Sequence, residues 1–258
     1  MGGILVQTSG KVVTVTLDCP PVNALTVAHY RELTTIFDSL GRGDDPGSDV
    51  NCAILAARGE KAFCAGLDLN EFLTWPADQD HVRALAAREL FRAVRQCAIP
   101  TIAAVNGAAL GTGCVLSACC DIRIASDQAR FGLPEINVGR CGGGAHVGRL
   151  VPPGLLRLMY FTGEPISAAE AHRSGFVERL VAPEALMDTA VALAGKIAAK
   201  SPLGLRMAKQ ALNGAEFLPV EEGYALEQTF STRLLGTEDA REATRAVLEK
   251  RKPAFKGR

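Results

Sequence analysis

The chain has 258 residues, of which 48% are hydrophobic and 22% are charged, a composition typical of a globular protein with a sizeable core. Lys plus Arg and Asp plus Glu each number 28, so the formal net charge is zero. This balance argues against a nucleic-acid-binding protein, because such proteins normally carry a basic excess.

The eight cysteines include no CxxC pair, and several of them lie in apolar runs, where a free thiol packs as a small hydrophobic group. Residues 1–15 lack the positively charged start and the long apolar stretch that mark a signal peptide. These features predict a reduced protein of the cytoplasm.

Predicted strands and helices alternate along the first half of the chain. Apolar residues alternate with threonine over residues 13–17, which predicts a strand. Thr26 is expected to be the N-cap of a helix that runs to about Leu40. A polar loop is predicted at 41–48, a buried strand at 51–56 and a helix at 81–97.

Residues 96–120 carry no charge over 25 residues, which is long enough to span a bilayer. Pro100 and several glycines interrupt this segment. We therefore expect a buried strand at 101–105, a glycine-rich turn and a buried helix from about Thr112 instead of a membrane span. A further strand at 121–125 completes a pattern that predicts an α/β fold with buried parallel strands.

No strand is predicted beyond about Val181, and helices are predicted at 183–200, 203–213, 220–235 and 238–251. The chain is thus expected to divide into a core of residues 1–200 and a helical region of residues 201–258 that packs on a partner subunit. The last nine residues, 250–258, contain five basic side chains. They form either a solvated end or a patch for a phosphorylated ligand.

Two glycine-rich stretches are the first candidates for chemistry, since GxSxG, GxxxxGK[ST] and HExxH are all absent and the four histidines show no metal-ligand spacing. They are residues 61–68 (KAFCAGLD) and 106–114 (NGAALGTGC). Glycine allows backbone N–H groups to approach a ligand closely, and two such groups would form an oxyanion hole. Taken by their spacing alone, these glycines are better explained as simple tight turns.

Glu135 is the third candidate, because it follows Pro134 inside the apolar stretch 131–139 (FGLPEINVG). A carboxylate in apolar surroundings is desolvated and its pKa is raised, which suits a proton shuttle near neutral pH. The alternative is an ordinary surface glutamate or one paired for structural reasons.

Together these stretches resemble the crotonase (enoyl-CoA hydratase/isomerase) superfamily over nearly the whole chain. The motifs are NAL at 23–25, FCAGLDL at 63–69, IAAVNGAALGTGC at 102–114, CCDIRIAS at 119–126, FGLPEINVG at 131–139 and EKRKPAFKGR at 249–258. The resemblance implies an α/β spiral of ββα units with a helical C-terminal region that forms a homotrimer or a dimer of trimers. It also implies an acyl-CoA thioester substrate and no cofactor beyond the coenzyme A that the substrate carries.

In such a protein an enolate oxygen would be bound by the backbone N–H groups of Leu67 and Thr112. Family hydratases use two glutamates, and here the first position holds Val115 and the second holds Glu135. Because water addition needs two acid–base groups and a double-bond shift needs one, the resemblance favours an isomerase. A hydratase or dehydratase with another group, for which His146 is the candidate, and a non-catalytic acyl-CoA-binding protein are the alternatives.

The resemblance also implies where the substrate lies. Coenzyme A would follow the first glycine-rich stretch, the acyl group would pack on an apolar wall, and the basic tail would reach coenzyme A from a neighbouring subunit. The substrate-binding residues predicted in this way are Lys61, Ala65, Gly66, Asp68, Trp75, Gly111, Val115, His146, Phe255 and Lys256.

Overall fold

The computed structural model describes residues 2–41 and 50–258, so the polar loop predicted at 41–48 lies, apart from its first residue, outside the described residues. The strands are β1 (Gly3–Ser9), β2 (Val12–Asp18), β3 (Ala24–Leu25), β4 (Cys52–Ala57), β5 (Ala62–Cys64), β6 (Gly66–Leu67), β7 (Thr101–Val105), β8 (Ala108–Leu110), β9 (Ile122–Ser126), β10 (Arg130–Gly132), β11 (Ile166–Ser167) and β12 (Arg179–Val181).

The α-helices are α1 (Val27–Ser39), α2 (Leu69–Thr74), α3 (Asp80–Arg95), α4 (Thr112–Cys119), α5 (Gly144–Val147), α6 (Pro153–Thr162), α7 (Ala168–Arg173), α8 (Leu186–Ala198), α9 (Pro202–Ala215), α10 (Val220–Leu235) and α11 (Glu238–Leu248). Short 3-10 helices cover Ala77–Gln79, Pro134–Val138 and Pro183–Ala185.

The largest sheet has six strands in the order β1-β2-β4-β7-β9-β12. Its pairs are parallel from β2 onward, whereas β1 and β2 form an antiparallel hairpin at the edge. A second sheet has the order β11-β10-β8-β5, and β3 pairs with β6 in a third. The predicted α/β class with buried parallel strands is confirmed.

Both faces of the large sheet are covered, which explains why β4 and β7 are buried along almost their whole length and are largely apolar. One face packs on the main core, to which α1, α3 and α4 contribute. The other face packs under α8 through Leu186, Ala190, Ala194 and Ala198. The sheets and helices of the main core therefore fix the positions of the loops that follow β5 and β8.

The segment 96–120 contains β7 and α4, as predicted, and between them β8, where only a glycine-rich turn was expected. Within the described part of the chain, no helix is both long enough and apolar enough to cross a membrane. The N-terminal strand β1 was not predicted, because its residues are largely exposed and lack the alternation of β2.

Beyond β12 the described chain is helical, as predicted. Helix α9 is joined to the core by Lys209, whose Nζ donates hydrogen bonds to the carbonyl of Ile99 at 3.0 Å and to Asp121 at 2.7 Å. Large apolar side chains of the C-terminal region are exposed, among them Phe217, Val220, Tyr224, Leu235 and Leu248. Such a surface is consistent with packing on a partner subunit, and the oligomeric state remains a prediction.

Candidate active site

The two glycine-rich stretches and the stretch that carries Glu135 meet at one cavity of about 790 Å³. The first stretch contributes the loop between β5 and β6, the second contributes the start of α4, and the third contributes the 3-10 helix Pro134–Val138. Leu67, Thr112 and Glu135 all line this cavity. The tertiary fold thus brings together the three positions for which the sequence predicted a catalytic role.

Gly66 brings the first loop against the second. It has φ +106°, a conformation that favours glycine, and a Cβ built there would lie 3.2 Å from the carbonyl oxygen of Leu110 and 3.8 Å from the backbone nitrogen of Thr112. The loop is held by a hydrogen bond from the Asp68 N–H to the Leu25 carbonyl, at 3.0 Å. The backbones on either side of the cavity therefore approach each other closely.

The second loop ends at the N-terminus of α4. Gly111 has φ +52° and is the N-cap, so the N–H of Thr112 belongs to the first helical residue and has no acceptor within the helix. The side chain of Thr112 shares a 2.6 Å hydrogen bond with the hydroxyl of Tyr30 in α1. This bond ties the start of α4 to a neighbouring helix.

Glu135 lies opposite these backbone groups. A Cβ built on Gly111 would be 3.0 Å from its Oε1, which shows how near the carboxylate is to the second loop. Its Oε2 is buried and has no hydrogen-bond partner. Burial raises the pKa of Glu135 above the ordinary value, and a backbone hydrogen bond at the same residue opposes this effect only in part.

Val115 occupies the cavity wall one turn along α4 and is 1% exposed. It can neither accept nor donate a proton. Gly143 packs against it so closely that a Cβ there would lie 2.5 Å from the Cγ2 of Val115. The wall on this side is thus apolar and tightly packed.

The structure places only some of the predicted substrate-binding residues at the cavity. Ala65, Gly66, Asp68, Gly111 and Val115 line it. Lys61 is exposed and is not among the residues that line the cavity. Trp75 lines an adjoining pocket of about 340 Å³ instead, and its Nε1 donates to the Gln79 carbonyl at 3.0 Å.

His146 requires a correction, because it is not among the residues that line the cavity. Its Nδ1 lies 3.5 Å from the Sγ of Cys119, and its ring packs edge-on against Phe91 with centroids 5.4 Å apart. Burial, together with the positive charges of Arg149 and Arg95, lowers the pKa of this imidazole. The imidazole is therefore held between Cys119 and Phe91.

The basic tail folds back on α11 within its own chain. The N–H of Lys256 donates to Asp239 at 2.7 Å, and its Nζ lies 3.6 Å from Glu238. The predicted contact of Phe255 and Lys256 with coenzyme A on a neighbouring subunit remains a prediction.

The sequence pattern that defines the enoyl-CoA hydratase/isomerase family matches residues 7–258 of this chain. The chain belongs to this family. Its α/β core and helical C-terminal region accordingly have the crotonase fold, as the resemblance implied. Like other members of the enoyl-CoA hydratase/isomerase family, it is an acyl-CoA enzyme.

Similar proteins span the whole chain. The short-chain-enoyl-CoA hydratase of Clostridium acetobutylicum is 35% identical over 263 residues, which cover 100% of this chain and 99% of the relative. A (7aS)-7a-methyl-1,5-dioxo-2,3,5,6,7,7a-hexahydro-1H-indene-carboxyl-CoA hydrolase of Rhodococcus jostii is 40% identical, with 92% of each chain covered. The crystal structure of an enoyl-CoA hydratase from Bacillus anthracis superposes with a TM-score of 0.94 at 33% identity, covering 99% of this chain and 100% of that one.

Several residues of the cavity were not identified in the sequence analysis, among them Tyr30, Arg83 and Arg140. Tyr30 belongs to α1 and Arg83 to α3, both outside the quoted motifs, and no local pattern distinguishes them from other helical residues. Within residues 2–41 and 50–258, no group of three or more His, Cys, Asp or Glu side chains is placed to hold a metal ion.

Proposed function

We propose that this enoyl-CoA hydratase/isomerase family member shifts a carbon–carbon double bond in an enoyl-CoA thioester, with Glu135 as the proton shuttle. One observation carries the proposal. Among the described residues, Glu135 and Asp68 are the carboxylates that line the cavity, and of the two only Glu135 has a buried oxygen without a hydrogen-bond partner. The carboxylate of Asp68 caps α2 by accepting from the N–H groups of Asn70 and Glu71, at 2.8 and 3.1 Å.

The proposed oxyanion hole consists of the backbone N–H groups of Leu67 and Thr112. Its support is the close approach of the two loops at Gly66 and the position of Thr112 at a helix N-terminus, where the backbone carries partial positive charge. Each such donor typically contributes about 3 kcal/mol of transition-state stabilisation.

In the proposed reaction, the carboxylate of Glu135 takes a proton from C2 of a 3-enoyl-CoA thioester. The electron pair moves toward the thioester carbonyl oxygen, whose developing negative charge is stabilised by the two N–H groups. The resulting dienolate takes a proton from Glu135 at C4, and the double bond then lies between C2 and C3. No atom is gained or lost, and coenzyme A takes part only as a portion of the substrate.

Hydration is the second candidate, because relatives such as the protein of Clostridium acetobutylicum are named as hydratases. It needs a second acid–base group in addition to Glu135. Val115 cannot supply one, and His146 faces Cys119 instead of the cavity. These two placements are the reason we rank hydration below the double-bond shift.

The experiment is incubation of the pure protein with 2-enoyl- and 3-enoyl-CoA thioesters in heavy water, followed by mass spectrometry. We expect a shifted double bond, deuterium uptake to the extent that the Glu135 proton exchanges with solvent, and no added water. A product heavier by one water would refute the isomerase and favour a hydratase. Binding of both thioesters without turnover would favour an acyl-CoA-binding protein.

A substitution at position 115 tests whether the residue there decides between double-bond shift and hydration. Val115→Glu restores the carboxylate that the family's hydratases carry at this position, so we expect it to add water to 2-enoyl-CoA. Val115→Gln is the matched control, since it has nearly the same size but cannot act as a base. Hydration at equal rates in the wild type and both variants would show that position 115 does not decide the reaction.

A further inference from the structure

Two arginines line the main cavity near Phe72. Arg83 comes from the first turn of α3, and its side chain is 14% exposed. Arg140 follows the 3-10 helix of Glu135, is 27% exposed, and places its guanidinium 4.5 Å from the centre of the Phe72 ring. Two cationic groups in a largely apolar acyl pocket need a structural or functional reason, because desolvating a charge is unfavourable.

Both arginines share a single counterion, Asp80. The Nε of Arg83 donates to Asp80 Oδ1 at 2.9 Å, and the Nη1 of Arg140 donates to Asp80 Oδ2 at 3.2 Å. Asp80 lines the adjoining pocket and not the main cavity, whereas both arginines line the main cavity. The cluster Arg83–Asp80–Arg140 therefore presents an excess of positive charge toward the cavity.

Arg140 also has an unsatisfied hydrogen-bond donor. Its Nε is buried and has no partner, although its other nitrogens bind Asp80. A buried donor without a partner is unfavourable, and a ligand acceptor that reached it would remove that penalty. The remaining N–H belongs to a permanently charged guanidinium, which forms a strong charge-assisted hydrogen bond to a carboxylate oxygen.

The cluster shares one cavity with the proposed oxyanion donors. Arg83, Arg140 and Phe72 line the same cavity as Leu67 and Thr112. An acyl chain with its thioester at those donors therefore occupies the cavity into which both arginines project their charge.

We propose that the Arg83–Asp80–Arg140 cluster binds a carboxylate at the far end of the acyl chain. The substrate class is then the coenzyme A thioesters of unsaturated dicarboxylic acids. This inference rests on the proposed function, because it requires the thioester to lie at the Leu67 and Thr112 donors. The competing source of an anion is a phosphate of coenzyme A itself, and the test distinguishes the two.

The test measures equilibrium binding of saturated thioesters by calorimetry, so that no turnover is needed. Glutaryl-, adipoyl- and suberoyl-CoA are compared with pentanoyl-, hexanoyl- and octanoyl-CoA of the same chain lengths, and with free coenzyme A. We expect the wild type to bind at least one carboxylate-ended ligand about tenfold or more tightly than its methyl-ended match. Arg140→Gln should abolish this preference and leave the affinity for methyl-ended ligands nearly unchanged.

Two control variants separate charge recognition from folding. Asp80→Asn breaks the same ion pairs but keeps both cations, so it should retain the preference for the carboxylate. Arg88→Gln removes an exposed positive charge from the same helix and should change nothing. Loss of the preference in Asp80→Asn as well as in Arg140→Gln would overturn the proposal, since the cluster would then have only a structural role.

The remaining outcomes are also decisive. Equal affinity of the wild type for the two ligand series would overturn this inference and leave the proposed function intact. Equal weakening of every ligand by Arg140→Gln, free coenzyme A included, would assign the arginine to a phosphate and overturn it as well. Failure of all thioesters to bind would overturn the proposed function together with this inference.

Discussion

The two sides of the cavity are built in opposite ways. On the donor side, backbone hydrogen bonds hold both loops, from Asp68 N–H to the Leu25 carbonyl and from Gly111 N–H to the Gly132 carbonyl, each at 3.0 Å. On the base side, Glu135 sits on a short 3-10 helix with one buried oxygen unpartnered. The proposed donors are thus held by backbone hydrogen bonds, whereas the proposed base lies in an environment that disfavours its charged form.

The largest loss of activity is expected from substitution of Glu135. Glu135→Gln should lower kcat for double-bond isomerisation by about 10²- to 10⁴-fold, because an amide cannot take up the C2 proton. The melting temperature should not fall, since the substitution removes a desolvated charge. Steady-state kinetics and thermal unfolding check both expectations. Glu164→Gln, at an exposed position, is the control, and full activity of the Glu135 variant would contradict the assigned role.

A change on the donor side should have the next largest effect. Gly66→Ala places a Cβ 3.2 Å from the Leu110 carbonyl at a residue with φ +106°, so the first loop must shift. We expect a loss in kcat of about a hundredfold, the effect of displacing a catalytic group by about 1 Å. Gly154→Ala, where the added Cβ meets open space, should retain normal kinetics. Unchanged kcat in Gly66→Ala would place the oxyanion donors elsewhere.

The hydroxyl of Tyr30 tests how the second donor is positioned. Tyr30→Phe removes its 2.6 Å hydrogen bond to Thr112, which typically contributes about 1 kcal/mol. We expect kcat to fall about fivefold, the equivalent of that energy, while KM stays the same. Tyr224→Phe on the exposed face of α10 is the control. A loss of thermal stability without any change in kcat would show that the bond serves the fold alone.

The smallest effect is a pH dependence of stability. The pKa of Glu135 is raised in the folded protein by burial, so the folded state holds this proton more tightly than the unfolded chain. Its contribution to the free energy of unfolding is full below the ordinary glutamate pKa and is lost as the pH rises through the folded value. Denaturant titrations should show this slope in the wild type and not in Glu135→Gln. Identical slopes would contradict the desolvation of Glu135.

Local sequence patterns predicted the elements that have strong periodicity or clear caps. Helix α1 was expected from the N-cap Thr26 to about Leu40, and it covers Val27–Ser39 with Thr26 as its cap. The strand expected at 101–105 is β7. Helix α6 was not predicted, because its sequence is short and lies between a proline and a glycine that resemble loop residues.

In the candidate site, too, some residues were predicted from local sequence patterns and others were not. Gly66, Gly111 and Glu135 were identified because glycines and a carboxylate in apolar motifs are visible in the sequence. His146 was the candidate for a second acid–base group, but the path of the chain after Gly142–Gly144 turns it toward Cys119 and Phe91. The direction of a side chain after a flexible glycine run depends on packing and not on spacing.

The sequence by itself determined the family, the α/β class and the residue types available for proton transfer, because these depend on motif order and local chemistry. Only the tertiary structure decided which groups face one another. It placed Glu135 within reach of Gly111, left Oε2 of that carboxylate without a partner, and turned the shared counterion of Arg83 and Arg140 away from the main cavity. These relations join residues far apart in the chain, and so they arise from long-range packing that no local pattern encodes.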